Sequence, residues 1–395
     1  MYYDLDESEH VNGAYRELTD LLLELADLFI FIDESLGENS HLMHFGEERY
    51  HFHVACGADG APFSKDDEAT AWLLSFINSG THITSEKENF LLAGANCSEN
   101  HIVMERFAKK LVHKFQSIKE KTFHVRNFSV KFSLELFPSD TKFLALYSGE
   151  LSNAAFFFSS CGYVNETNKH ITNGSLGPEP GNTWHPWVYA KRLEVVEGVK
   201  KLKEKFDQSS YAESTKRTKV LDFIRGKESR QEFEPLIGPY VDLGLAEPLH
   251  NANNAWQFIH STILSLSLEK SNIPSSCKDV NDVPENSSFA KYLSILKTEV
   301  KAGRLMKKVT KWFNSGRKNS FDYRFTGKQS KKLSHKFMYL VSALESDDDP
   351  PETKMRLCAI ANCALELRGT VSLFFKGKHR WGRLNGIERS LSKVP

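Results

Sequence analysis

The chain carries no net charge: 51 Lys and Arg are matched by 51 Asp and Glu across 395 residues, so nothing global marks it as a nucleic-acid binder. It also has no Cys-x-x-Cys pair. Its six cysteines, Cys56, Cys97, Cys161, Cys277, Cys358 and Cys363, are widely scattered. That scatter in so long a chain argues against a disulfide framework and for a reducing compartment. Long apolar runs are missing too: stretches such as 21–32 carry charges and fall short of a membrane span. The opening Met-Tyr-Tyr-Asp-Leu-Asp-Glu has neither the basic nor the apolar region of a signal peptide. No internal repeat and no long low-complexity tract is visible. These absences predict a soluble intracellular protein with no membrane partner.

What is present is ordinary in bulk and informative in detail. Apolar residues make up 40% and charged residues 26%, usual for a globular chain. The length predicts one large domain or two to three smaller ones. Twenty-eight Phe favour a thick aromatic core. Charge is unevenly spread: between Phe289 and Lys336 about fourteen Lys or Arg face only Glu299 and Asp322, a local excess suited either to phosphates or to a solvated helical face.

Periodicity gives the elements. Residues 14–33 read as an amphipathic helix, with Leu18, Leu21, Leu22, Leu25, Leu28 and Phe29 at helical spacing. Tyr50 to Ala58 alternates as a strand and ends in Asp59-Gly60. Residues 69–78, preceded by Asp66-Asp67-Glu68 and followed by Gly80, read as a short helix. Residues 90–96 read as a buried strand and 99–121 as a helix. Residues 122–136 read as one or two strands broken near Arg126-Asn127, with Asp140 beyond them. A hairpin partner near Ala61 to Phe63, a helix over 142–151 and a fifth strand over 155–161 complete this half. Residues 165–186 are loop-like. Helices are predicted over 187–206, 213–226, 252–268, 288–316, 329–346 and 351–375.

The pair Asp59 and Asp140 is the strongest chemical signal. Two carboxylates at the tips of neighbouring strands can share divalent metal ions, and such ions cleave or join phosphodiesters. Structural roles compete with this. Asp-Gly is a hairpin signal, and Asp140 after Pro138-Ser139 is well placed to cap a helix. His51 and His53 share a strand face with no zinc-spaced partner. His250 and His260 suit core or capping roles, and Trp184, Trp187 and Tyr189 suit packing.

Three segments carry a resemblance: Gly57-Ala-Asp59-Gly-Ala-Pro-Phe-Ser-Lys-Asp-Asp; Phe137-Pro-Ser-Asp140-Thr-Lys-Phe-Leu-Ala-Leu-Tyr-Ser-Gly-Glu-Leu-Ser-Asn-Ala-Ala; and Ala246-Glu247-Pro-Leu-His250-Asn-Ala-Asn-Asn-Ala-Trp256. Together they resemble an uncharacterised metazoan family derived from transposable elements. Its core is that of ribonuclease H-like DDE transposases, distantly of the Transib and V(D)J recombinase type. The likeness spans residues 40–375. It implies an α/β fold: a ribonuclease H-like mixed sheet with a large helical insertion and a helical C-terminal region.

The boundaries so implied are an N-terminal helical segment over 1–44 and the core over 45–165. The insertion with its Pro-Leu-His helix spans 166–285, and a basic region over 286–395 ends in a stretch, 377–395, that reads as truncated. The resemblance makes Asp59 and Asp140 the first two metal-binding acids, for Mg²⁺ or Mn²⁺. Glu247 is the candidate third acid, although the Pro after it sets it ahead of a helix rather than on one. It implies DNA as partner, a homo-oligomer as a possible state and the nucleus as the site of action. Lys307, Lys308, Lys311, Arg317, Lys318, Lys331 and Lys332 are the candidate DNA-backbone contacts. Only Cys161 stands where some relatives pair cysteines, which weakens a zinc reading. The rival expectation is a catalytically inactive, transposon-derived DNA-binding or protein-interaction module; a helical scaffold unrelated to nucleic acid is the third.

Overall fold

Side-chain alternation builds one mixed sheet, with six of its seven strands in the first half of the chain. The computed structural model describes residues 5–45, 48–62, 68–274, 276–317 and 320–375. The sheet comprises β1 (Gly13–Tyr15), β2 (His51–Pro62), β3 (Glu68–Phe76), β4 (Phe90–Ala95), β5 (Phe123–Val125), β6 (Phe128–Ser139) and β7 (Gly244–Ala246). Its order is β1-β4-β3-β2-β6-β5, with β7 also alongside β6. The pairs β1/β4, β2/β3, β3/β4 and β5/β6 are antiparallel; β2/β6 and β6/β7 are parallel. The protein is thus a mixed α/β protein.

One face of the sheet is buried at every second residue: Phe52, Val54, Cys56 and Ala58 on β2, and Thr70, Trp72, Leu74 and Phe76 on β3. Helices α1 (Leu18–Leu36) and α2 (Ile102–Ile118) add Leu22, Ala26 and Ile30, and Phe107, Ala108 and Phe115, to the same core. Trp72 is its centre. The rings of Phe107, Phe137, Phe143 and Tyr147 stand edge-on to it at 5.4 to 5.8 Å, the arrangement favoured by aromatic quadrupoles. The abundance of Phe is spent here.

The structure corrects the sequence reading in several places. Residues 69–78 do not form a helix; Glu68–Phe76 is β3, zipped antiparallel to β2 from Val54↔Phe76 to Pro62↔Glu68. Acids ahead of an apolar run suggested a helix start, but burial alternates with period two through Thr70, Trp72, Leu74 and Phe76. β3 therefore supplies the second strand that the hairpin near Ala61 was expected to give; Ala61 itself lies in β2, and Phe63 and residues 66–67 fall outside the described residues. Asp59 is no hairpin turn either: it sits inside β2 opposite Ala71. Residues 155–161 contribute only an isolated bridge, Phe157↔Asn165, and the further strand is β7. Residues 13–15 form β1 ahead of α1. The helix expected over 288–316 is two helices, separated where Lys301 adopts φ 54°.

After β6 come α3 (Thr141–Tyr147), a long irregular segment, α4 (Tyr189–Asp207) and α5 (Glu213–Gly226). A buried charge cluster pins that segment. The Glu150 carboxylate contacts the Arg192 guanidinium, and its other oxygen lies 2.9 Å from Arg230 Nε. Arg230 also donates to the carbonyls of Leu151 at 2.7 Å and Phe158 at 2.5 Å, and to Asn153 Oδ1 at 2.9 Å. Burial pushes the Glu150 carboxyl upward, and the two guanidiniums oppose it.

Contacts divide the chain between Glu247 and Pro248, within the segment 166–285. The second unit is helical: α6 (Pro248–Ser271), α7 (Ser288–Thr298), α8 (Gly303–Asn314), α9 (Gly327–Leu344) and α10 (Pro351–Phe375). Its core gathers Trp256, Ile263, Phe289, Tyr292, Leu296, Val309, Phe313, Phe337 and Leu340. Residues 377–395, read as a truncated end, lie outside the described residues.

Candidate functional site

Because β2 and β6 run parallel, they deliver the residues at their ends to the same edge of the sheet. Their register slips once. Val54 lies opposite Leu134 but Ala55 opposite Leu136, so Glu135 is the extra residue of a β-bulge. The offset between the strands rises there from 80 (134 − 54) to 81 (136 − 55). Ala58 N–H donates to Ser139 Oγ at 3.2 Å with the same separation of 81. Asp59 and Asp140 are also 81 residues apart, so the bulge brings them level. Without it Ser139 would face Asp59, and the side-chain period of two would turn Asp140 to the wrong side.

β7 extends the row. It pairs with β6 at Phe137↔Gly244, Pro138↔Leu245 and Ser139↔Ala246, an offset of 107 (244 − 137). Glu247 N–H then donates to the Ser139 carbonyl at 2.8 Å, the bond a parallel ladder makes when Glu247 is level with Asp140 (247 − 140 = 107). Asp59 inside β2, and Asp140 and Glu247 just past the ends of β6 and β7, thus occupy one row across three neighbouring strands, each step about 4.8 Å. Pro248 opens α6, so Glu247 precedes the helix. Gly57 permits the close approach of β2 to β6, since a Cβ there would stand 2.1 Å from the Pro138 carbonyl oxygen.

The side chains have further duties. Asp140 caps α3, its Oδ1 accepting the Phe143 N–H at 2.6 Å. The structural role foreseen for Asp140 is therefore present, and it leaves the second carboxylate oxygen outside the cap. Among the described residues, no three His, Cys, Asp or Glu side chains are gathered to hold a metal ion. The row is level in its backbone without being closed in its side chains. In kind the donors fit a hard cation: Mg²⁺ binds through one or two carboxylates and fills its other positions with water and substrate oxygens.

Two residues that sequence reasoning did not single out stand beside the row. Glu99, nearly buried, lies against Gly60, where an added Cβ would meet its Oε2 at 3.1 Å. The Lys142 ammonium closes on Glu99 Oε1. That hydrogen bond, with the nearby charges of Glu99, Asp140 and Glu68, holds the Lys142 pKa above the usual lysine value. One lysine therefore offsets several acids at this edge. Lys142 was visible as the third residue of Asp140-Thr-Lys; Glu99 carried no local signal, because only folding sets it beside Gly60.

The remaining candidates are dispersed. His51 Nε2 lies 2.6 Å from Ser133 Oγ, and His53 lies 3.8 Å from Glu135. Cys161 is an exposed free thiol. Trp187 packs on Phe157 and Tyr163 and donates its indole N–H to the Ser159 carbonyl at 3.0 Å. His260 is buried with its Nε2 2.7 Å from the Tyr292 hydroxyl, and burial pushes its pKa down to about 4. His250 is exposed in the first turn of α6.

Of the basic candidates, Lys307, Lys308 and Lys311 share the exposed side of α8, opposite buried Leu305, Val309 and Phe313. Arg317 donates to the Pro274 carbonyl at 3.1 Å and lies over the Phe313 ring, and Lys332 donates to the Lys301 carbonyl at 2.9 Å. Those two are engaged within the fold. Lys331 is exposed on α9. Lys318 lies outside the described residues.

No family model matches the chain, and no curated protein is significantly similar to it. Among the described residues, no helix is long and apolar enough to cross a membrane.

Proposed function

We propose that the sheet unit is a ribonuclease H-like core and that the protein acts as a DDE transposase-like enzyme, cleaving and transferring DNA strands with Mg²⁺ or Mn²⁺. The observation that carries this reading is the level row Asp59, Asp140 and Glu247 across the three adjacent parallel strands β2, β6 and β7. Strand order supports it. Three antiparallel strands, β4-β3-β2, are followed by α2 and then by β6 parallel to β2, with β7 beyond. Asp59 and Asp140 hold the cation and Glu247 closes the set when substrate is present. The cation, when bound, activates the attacking oxygen and stabilises the leaving one. Lys142 limits the repulsion among the acids before the cation arrives. The exposed lysines of α8 grip the DNA backbone without reading sequence.

A second reading has its own support: a catalytically inactive, transposon-derived DNA-binding or protein-interaction module. It is favoured by the capping duty of Asp140 and by acids that are level but not gathered. A nicking assay on labelled duplex DNA with Mg²⁺ or Mn²⁺ separates the two. The enzyme reading requires a metal-dependent product that disappears in Asp59→Asn and Asp140→Asn. Absence of product with either metal, while DNA is still bound in a salt-sensitive manner, leaves the inactive module.

A further inference from the structure

We propose that the helical unit carries a separate binding cavity for a nucleoside monophosphate unit, either free or as one unstacked residue of a single strand. This does not rest on the strand-cleaving reading. A cavity of about 420 Å³ opens between α6, α9 and α10, within the roughly 300–1,000 Å³ typical of small-ligand sites. Helical spacing makes it: Asn253 and Trp256 on α6, Gly327, Lys331 and His335 on α9, and Arg368 on α10 all line it.

The chemistry of that lining selects the ligand. Lys331, His335 and Arg368 are exposed, and among the described residues none is ion-paired with an acid. Gly327 is the first residue of α9, an 18-residue helix whose first turn is closed by a Thr326–Gln329 capping box, so this end contributes its dipole and the three side-chain cations supply the donors for an anion. These groups suit a phosphate. Deeper in the wall sits Asn253, 9% exposed. Its Oδ1 accepts the Ser330 hydroxyl at 2.6 Å, which fixes the amide and leaves its NH₂ without a hydrogen-bond partner among the described residues. A nearly buried donor held in place beside an aromatic wall, Trp256, suits the acceptor atoms of a flat heterocycle. Phosphate at the rim and heterocycle inside describe a nucleotide.

Calorimetric titration of the full chain with dAMP, deoxyadenosine, inorganic phosphate and a short single-stranded oligonucleotide tests this. The expected result is saturable dAMP binding, with deoxyadenosine and inorganic phosphate each about tenfold or more weaker. Lys331→Ala combined with Arg368→Ala should weaken dAMP by about tenfold or more without moving the melting temperature, because both side chains are exposed. Asn253→Leu, which keeps size and removes the donor without adding charge, should weaken dAMP while leaving inorganic phosphate unchanged. Binding by the oligonucleotide alone, lost in the same variants, would assign the cavity to a strand-borne residue. No saturable binding of any probe, inorganic phosphate binding as tightly as dAMP, or indifference to all the variants would overturn the proposal.

Discussion

Across β2, β6 and β7 of the sheet unit, Asp59, Asp140 and Glu247 stand in a row with Glu99 close by, and Lys142 offsets the charge of Glu99 and Asp140. The helical unit presents the opposite case. Lys331, His335 and Arg368 surround a cavity, unpaired with acids among the described residues. The acids are placed by strand register and one bulge, so their positions depend on the backbone. The cations are placed by helical spacing on exposed faces, so they can be exchanged singly at little structural cost. The two regions also treat buried charge differently. At Glu150 burial raises the carboxyl pKa against the opposing pull of Arg192 and Arg230, whereas at His260 burial acts alone and lowers the pKa to about 4.

The largest effect expected from breaking this contrast is at the buried cluster. Arg230→Met removes one guanidinium from Glu150 and the donors to three loop acceptors, and should destabilise the sheet unit by about 3–5 kcal/mol in chemical denaturation. In the helical unit the corresponding test is pH. The folded pKa of His260, about 4, lies below the ordinary value of 6.5, so below pH 6.5 the unfolded chain binds the proton more readily. Stability should be complete above that pH and fall by roughly 3 kcal/mol as pH drops to 4. Thermal melts across that window, with His260→Phe flattening the slope, measure it.

Gly57→Ala comes next. The added methyl meets the Pro138 carbonyl where β2 approaches β6, and a cost of about 1–3 kcal/mol is expected from overpacking. Smallest is the separation of cap from charge at Asp140. Asp140→Ala loses the cap of α3 and about 1 kcal/mol, while Asp140→Asn keeps a capping oxygen and near-normal stability. Paired denaturation curves on the two variants distinguish the roles.

Much of this was legible in the residues. Alternation located β2 and β6, with the break at Arg126, which adopts φ 53°, and a short apolar run bounded by polar residues located β4. Helical spacing located nearly every long helix. β3 was misread because Asp66, Asp67 and Glu68 mimic a helix start, while the alternation that decides the matter runs through Thr70 and Trp72. Asp59 and Asp140 could be chosen from sequence, but their level placement could not, because it depends on Glu135 as an unpaired residue of β6. Glu99 was missed for a related reason: a lone acid ahead of a helix acquires meaning only when the chain folds it onto Gly60. The cavity beside Trp256 needed three helices to meet, which no local pattern encodes.

On the proposed reading, the bulge at Glu135 aligns acids that together hold one divalent cation. Mn²⁺ titration followed by electron paramagnetic resonance tests it directly on the full chain, on Asp59→Asn and Asp140→Asn, and on a deletion of Glu135 whose fold is checked by circular dichroism. Stoichiometric Mn²⁺ binding is expected in the wild-type chain, weakened by at least about tenfold in each asparagine variant and in the folded deletion. Mn²⁺ binding that persists unchanged in all three, or a wild-type chain that takes up none, would contradict it.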